Sequence, residues 1–111
     1  MIRSFAMNTI VKDWQIVTIV SENQIIGKVL YAIVVEDMYK RYKAGDYVTT
    51  SKIINISTDT QLIRTNSGSI YQAIGSGKKA TIDLNELPLL RKGYSPDEIS
   101  SFTACSDSVV H

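Results

Sequence analysis

Histidine is all but missing from this sequence: the one present, His111, stands at the last position. A terminal side chain is not held with the precision that proton transfer requires. Ser-His-Asp and Cys-His nucleophilic arrangements are therefore not expected. Cysteine is equally scarce. Cys105 has no partner for an intramolecular disulfide, which fits a reducing compartment and leads us to expect a cytoplasmic protein. No cation or base lies within its immediate sequence neighbourhood, so nothing local activates the thiol. One cysteine and one terminal histidine do not make a zinc site. The carboxylate pairs Glu36-Asp37 and Asp97-Glu98 are adjacent in sequence, and adjacent side chains diverge on either a strand or a helix. No metal, no cofactor and no enzymatic activity are expected. A twenty-residue apolar run is also lacking, and the amino terminus has no apolar core or cleavage signature of a secretory signal, so no membrane association is expected. Excess charge of one sign is absent too. Twelve basic against eleven acidic residues leave a net charge of +1, so any attraction to nucleic acid must be local.

What is present is branched and apolar. Ile25–Val35, IIGKVLYAIVV, is the longest nearly unbroken apolar run, interrupted by Gly27 and Lys28. Its Ile and Val residues suit a pleated surface better than a helix, and we read it as a central strand buried on both faces. Trp14–Val20 reads as the strand before it, joined through a hairpin loop at Ser21–Gln24. Tyr47–Ile56, Gln61–Thr65 and Ser69–Ile74 read as further strands, with Asn66-Ser67-Gly68 as a turn. Ala80–Leu84 adds a short one. Glu36–Gly45 places acids first, bases last and glycine after them, the order of a short helical turn; a long loop is the competing reading. Asn85 is placed to cap a turn that Gly93 closes. Ser95-Pro96-Asp97-Glu98 is a capping-box signature for a short helix over 96–102.

These elements predict a single domain, 1–111, mainly β with α+β as the alternative. The expected architecture is a small antiparallel β-barrel or roll of about five strands, its open end covered by short carboxy-terminal helices. Residues 1–12 read as an arm or edge strand and 103–111 as a frayed tail.

Several stretches invite a binding role. Tyr39-Lys40-Arg41-Tyr42-Lys43 interleaves rings with cations, as nucleic-acid surfaces do, and Lys78, Lys79, Arg91 and Lys92 extend it if the fold gathers them. A solvated element end explains the same cations. Gly75-Ser76-Gly77-Lys78-Lys79 resembles a phosphate loop but lacks its leading glycine (Gln72 stands there) and its hydroxyl after the lysine (Lys79 stands there). Tyr31, Tyr39, Tyr42, Tyr47 and Tyr71 are stiff and amphipathic, suited to interface anchors or to core and rim packing. The expectation that leads is a non-catalytic interaction module that binds another protein or forms a homodimer. Nucleic-acid binding through Tyr39–Lys43 is the alternative. Small-molecule binding in a barrel mouth lined by Tyr47, Thr49, Thr50 and Tyr71 is the third.

Between Ile26 and Tyr71 stand the strings IGKVLYAIVVED, GDYVTTSKI and TNSGSIY, followed later by LPLLRKGYSP. In these the chain resembles a family of short uncharacterised bacterial proteins carried on mobile DNA, such as phages, genomic islands and integron cassettes. The resemblance implies accessory cargo and carries over no activity or functional residue.

Overall fold

The structure is a computed structural model and describes residues 9–102. Its frame is one long hairpin. Strand β1 (Thr9–Ser21) and strand β2 (Gln24–Asp37) pair antiparallel from Thr9 opposite Asp37 to Ser21 opposite Gln24. The connection is two residues, Glu22 and Asn23, both at positive φ, as a tight turn matched to strand twist requires. The expected loop is thus correct in place and shorter in extent. Residues 9–12, expected in an arm or edge strand, belong to the central strand β1; residues 1–8 and the tail with Cys105 and His111 lie outside the described residues.

Five short strands follow: β3 (Tyr47–Thr49), β4 (Ile53–Ser57), β5 (Leu62–Thr65), β6 (Ile70–Ala73) and β7 (Lys78–Asp83). The sheet order is β3-β2-β1-β6-β5-β4, with β7 also on β1. The middle strand is therefore β1, not the Ile25–Val35 run. One edge of β1 carries β2. Its other edge carries β6 along Thr9–Val11 and β7 along Gln15–Val20, both parallel. An all-antiparallel arrangement was expected, but β6 and β7 return to β1 in its own direction.

The expected Tyr47–Ile56 strand is broken into β3 and β4 at Thr50. There the Leu30 amide donates to the Thr50 hydroxyl, and that hydroxyl in turn donates to the Ser51 carbonyl. A side chain has taken the acceptor role of the backbone, so the ladder ends. Side chains from β1 to β6 nevertheless meet in one cluster: Val11, Leu30, Val48, Ile53, Ile63 and Tyr71. Six strands laid flat span about 24 Å, too wide for that contact, so the sheet is curled around this core. Its edge strands β3 and β4 are not hydrogen-bonded to each other. The expected barrel or roll of about five strands is, among the described residues, an open, curled sheet of seven and not a closed barrel.

The opposite face of the hairpin is also covered. A 3₁₀ turn (Leu84–Glu86), helix α1 (Leu87–Arg91) and helix α2 (96–102) lie beyond β7. Leu90 and Ile99 pack there with Val17, Ile19, Val29, Tyr31 and Ile82. The helices thus cover the convex face, not an open end. Alternation along β2 explains the double burial: Leu30, Ala32 and Val34 face the curl, while Val29 and Tyr31 face the helices. The capping box is formed as expected, the Ser95 amide donating to Glu98 Oε1 (2.8 Å) and the Glu98 amide to Ser95 Oγ (3.1 Å). The earlier cap is Asp83 rather than Asn85: Asp83 Oδ2 accepts from the Asn85 amide (2.8 Å) and Glu86 reaches back to the Asp83 amide.

Candidate binding site

The residues singled out for binding sit at the carboxyl end of β2. They form no helix. Asp37 ends β2, its carbonyl accepts from the Lys40 amide, and its Oδ2 accepts from the Arg41 amide at 2.6 Å. An aspartate that bonds its own downstream backbone competes with helical pairing, and Lys40 at φ +58° lies outside the helical region. Residues 38–46 are therefore the long loop.

Arg41 is committed inside this loop. Its Nη2 lies 3.1 Å from Asp37 Oδ1 and 3.1 Å from Thr9 Oγ1, and Nε donates to Asp37 Oδ2. The Thr9 hydroxyl donates to Asp37 Oδ1 at 2.8 Å. Burial by itself pushes the Asp37 carboxyl up. The hydrogen bonds from the Arg41 side chain, Thr9 and the Arg41 amide, together with the guanidinium charge, outweigh it and hold the group at about 2. The guanidinium also lies over the rings of Tyr42 (5.3 Å) and Tyr39 (5.8 Å). The ring-and-cation pattern thus has an internal purpose. Of its members, Tyr39, Lys40 and Lys43 are exposed, the Tyr39 ring touching the network only through the guanidinium, whereas Tyr42 packs against the core.

The other tyrosines are occupied as well. Tyr31, Tyr47 and Thr49 donate their hydroxyls to the carbonyls of Gly93 (2.9 Å), Arg91 (3.0 Å) and Leu90 (3.1 Å). Leu90 and Arg91 end α1 and Gly93 follows it, so the three hydroxyls tie that end to the sheet, the Leu90 carbonyl also accepting from the Gly93 amide. Burial first, then the Glu98 charge and Tyr47, push the Tyr31 phenol up. Tyr71 is buried in the curl, where burial pushes its phenol up, and it does not line a mouth. Thr50 is buried too. Tyr42, Tyr47, Thr49 and Arg91 do share an open cleft of about 440 Å³ with Asp46. Arg91 thereby joins the tyrosines as the patch extension anticipated, but Lys78 and Lys79 do not. The polar side chains of this cleft are largely engaged already, Asp46 Oδ2 by the Lys43 amide.

A second cleft, of about 320 Å³, opens at the amino end of β2, inside the curl. Its apolar lining is Trp14, Ile16 and Ile56, with Lys28 and Lys79 beside them. Ile56 reaches this surface because it pairs with buried Ile63 and so shares that residue's face of the sheet. Trp14 arrives there through an irregularity: β1 carries an extra residue between Lys12 and Gln15, with Asp13 at φ +48°. The indole donates to the Gly75 carbonyl at 3.2 Å. A Cβ on Gly77 would stand 2.4–2.5 Å from three bonded ring carbons, so Gly77 sits over the indole face. The Gly-Ser-Gly stretch is therefore a seat for Trp14 rather than a phosphate cradle. Among the described residues neither Lys28 nor Lys79 is in an ion pair; Lys78 is, with Asp97 at 3.7 Å.

Sequence reasoning missed Trp14, Lys28 and Ile56 as a group. The usable signal was Lys28 itself, a lone charge inside an apolar strand. The described residues contain no cluster of His, Cys, Asp or Glu able to hold a metal ion, and no helix long and apolar enough to cross a membrane. No curated protein and no solved structure matches the chain. One family model does, over residues 2–88, a span that contains all seven strands and stops within α1. The chain belongs to that family, the domain of unknown function DUF6957.

Proposed function

We propose that this domain is a protein-binding module without chemistry of its own, and that it holds its partner at the end of the sheet where the hairpin turn and β4 meet. The observation that carries this reading is a group of exposed isoleucines: Ile25, Ile26, Ile54 and Ile56. The Lys52 side chain lies across Gly27, and Ile56 shares a cleft with Lys28, which brings β4 beside the start of β2. Single exposed apolar residues need no explanation, but a group of them marks a contact surface. Strand β4, IINIS, is moreover an edge strand with neither charge nor proline to blunt it.

A photo-cross-linking residue placed at 25 or 54 in cells is expected to give discrete protein adducts, and one at exposed Leu84 none. Equal adducts at all three positions, or none at any, would sink the reading. Sedimentation of the pure protein distinguishes a second copy from a different partner. Resemblance to accessory proteins of bacterial mobile DNA, together with the single cysteine, supports a cytoplasmic accessory role. Nucleic-acid binding through the 38–46 loop draws support only from exposed Tyr39, Lys40 and Lys43, because the Arg41 charge is already matched by Asp37.

A further inference from the structure

We infer that the Trp14 cleft is the recognition pocket of this surface, and that it takes an apolar side chain of the partner flanked by carboxylates. The inference rests on the protein-binding reading above and supplies the partner's chemistry. The floor is apolar and wide enough for a large side chain: Trp14 and Ile16 from β1, Ile56 from β4. Lys28 and Lys79 stand on either side of β1, since Thr18 pairs with Lys28 and Ile16 with Lys79. Both are exposed, and among the described residues no carboxylate lines the cleft. A purely apolar ligand would strip water from two ammonium groups that pair with no described carboxylate, whereas a ligand that also brings carboxylates compensates that cost and gains orientation. The Thr18 and Thr58 hydroxyls also line the cleft and engage no protein partner among the described residues, leaving them for a ligand backbone.

A phosphate chain suits the site less well. Nucleic-acid binding needs cations that follow a backbone. Here two lysines flank an apolar pocket, and the nearest aromatic-basic loop lies beyond about 30 Å of strand β2. The net charge of +1 adds no field to gather a polyanion.

Trp14 is the only tryptophan in the chain, so its emission reports on the pocket directly. The probe is an acetylated, amidated peptide of Leu-Phe between aspartates. It is expected to shift Trp14 emission saturably. A peptide with lysines for the aspartates, and one with serines for Leu-Phe, are expected to leave it unchanged. Lys28→Glu with Lys79→Glu is expected to weaken binding at least about tenfold. Lys79→Gln alone, which keeps the surface closer to native, is expected to weaken it about threefold. Ile56→Glu is expected to abolish binding. The assignment is overturned if the acidic peptide gives no saturable shift, if it binds the lysine variants unchanged, or if the lysine peptide or oligothymidylate binds more tightly. Failure here with adducts retained at 25 and 54 removes only the acidic partner. Failure of both removes the protein-binding reading as well.

Discussion

The two ends of strand β2 treat charge in opposite ways. At the carboxyl end Asp37 is buried, and every feature around it answers its charge: the Arg41 guanidinium, the Arg41 amide and the Thr9 hydroxyl. At the amino end Lys28 stands beside an apolar cleft with Lys79, and among the described residues no side chain answers either. The first arrangement ties β1, β2 and the 38–46 loop together. The second adds nothing to folding and leaves capacity for a ligand. A charge whose partner lies inside the molecule is architecture; one held against apolar surface without a partner marks a place where something else docks.

The contrast can be broken most forcefully at Arg41. Arg41→Ala leaves a buried carboxylate without its counter-charge, held only by the Thr9 hydroxyl and the amide of residue 41, and, after allowance for the partial exposure of the arginine, is expected to cost about 2–3 kcal/mol in denaturant unfolding. Acid probes the same end. The folded Asp37 sits at about 2, below its ordinary value of 3.8, so its contribution is complete above the ordinary value and lost as pH falls through about 2. Between roughly pH 4 and pH 2 the protein is expected to lose about 2 kcal/mol through this group, a loss that Asp37→Asn removes from the stability profile. Gly77→Ala drives a methyl into the Trp14 ring, with an expected cost of about 1–2 kcal/mol and a changed Trp14 emission. Tyr47→Phe, which frees the Arg91 carbonyl, is expected to cost about 0.5–1 kcal/mol. Lys28→Ala and Lys79→Ala are expected to change stability by less than about 0.5 kcal/mol each. A large loss at either lysine would make that end structural after all.

What was legible in the sequence was local. The Ser95-Pro96-Asp97-Glu98 cap, the Gly68 turn and the Gly93 stop all appear where their spacing put them, because each is decided by residues within one turn. The double burial expected of Ile25–Val35 holds over Val29–Val34 but not at its start, where Ile25 and Ile26 are exposed. The misreadings share a cause. Glu36–Gly45 has the charge order of a helix, but Asp37 spends its carboxylate on Arg41 and distant Thr9. The tyrosines look like interface anchors until the carbonyls at the end of α1 come beneath them. Trp14 and Gly77 meet only because β6 and β7 both return to β1. Contacts between residues remote in sequence leave no periodic trace.

The return of residues 71–83 to the first strand also bears on how the protein is born. During synthesis the opening hairpin leaves the ribosome well before β6 and β7, so one flank of β1 stays bare while the middle of the chain is still being made. Assembly cannot complete until those late segments arrive, which makes for slow maturation. In that interval the nascent chain offers its apolar leading strand to chaperones and to neighbouring nascent copies alike.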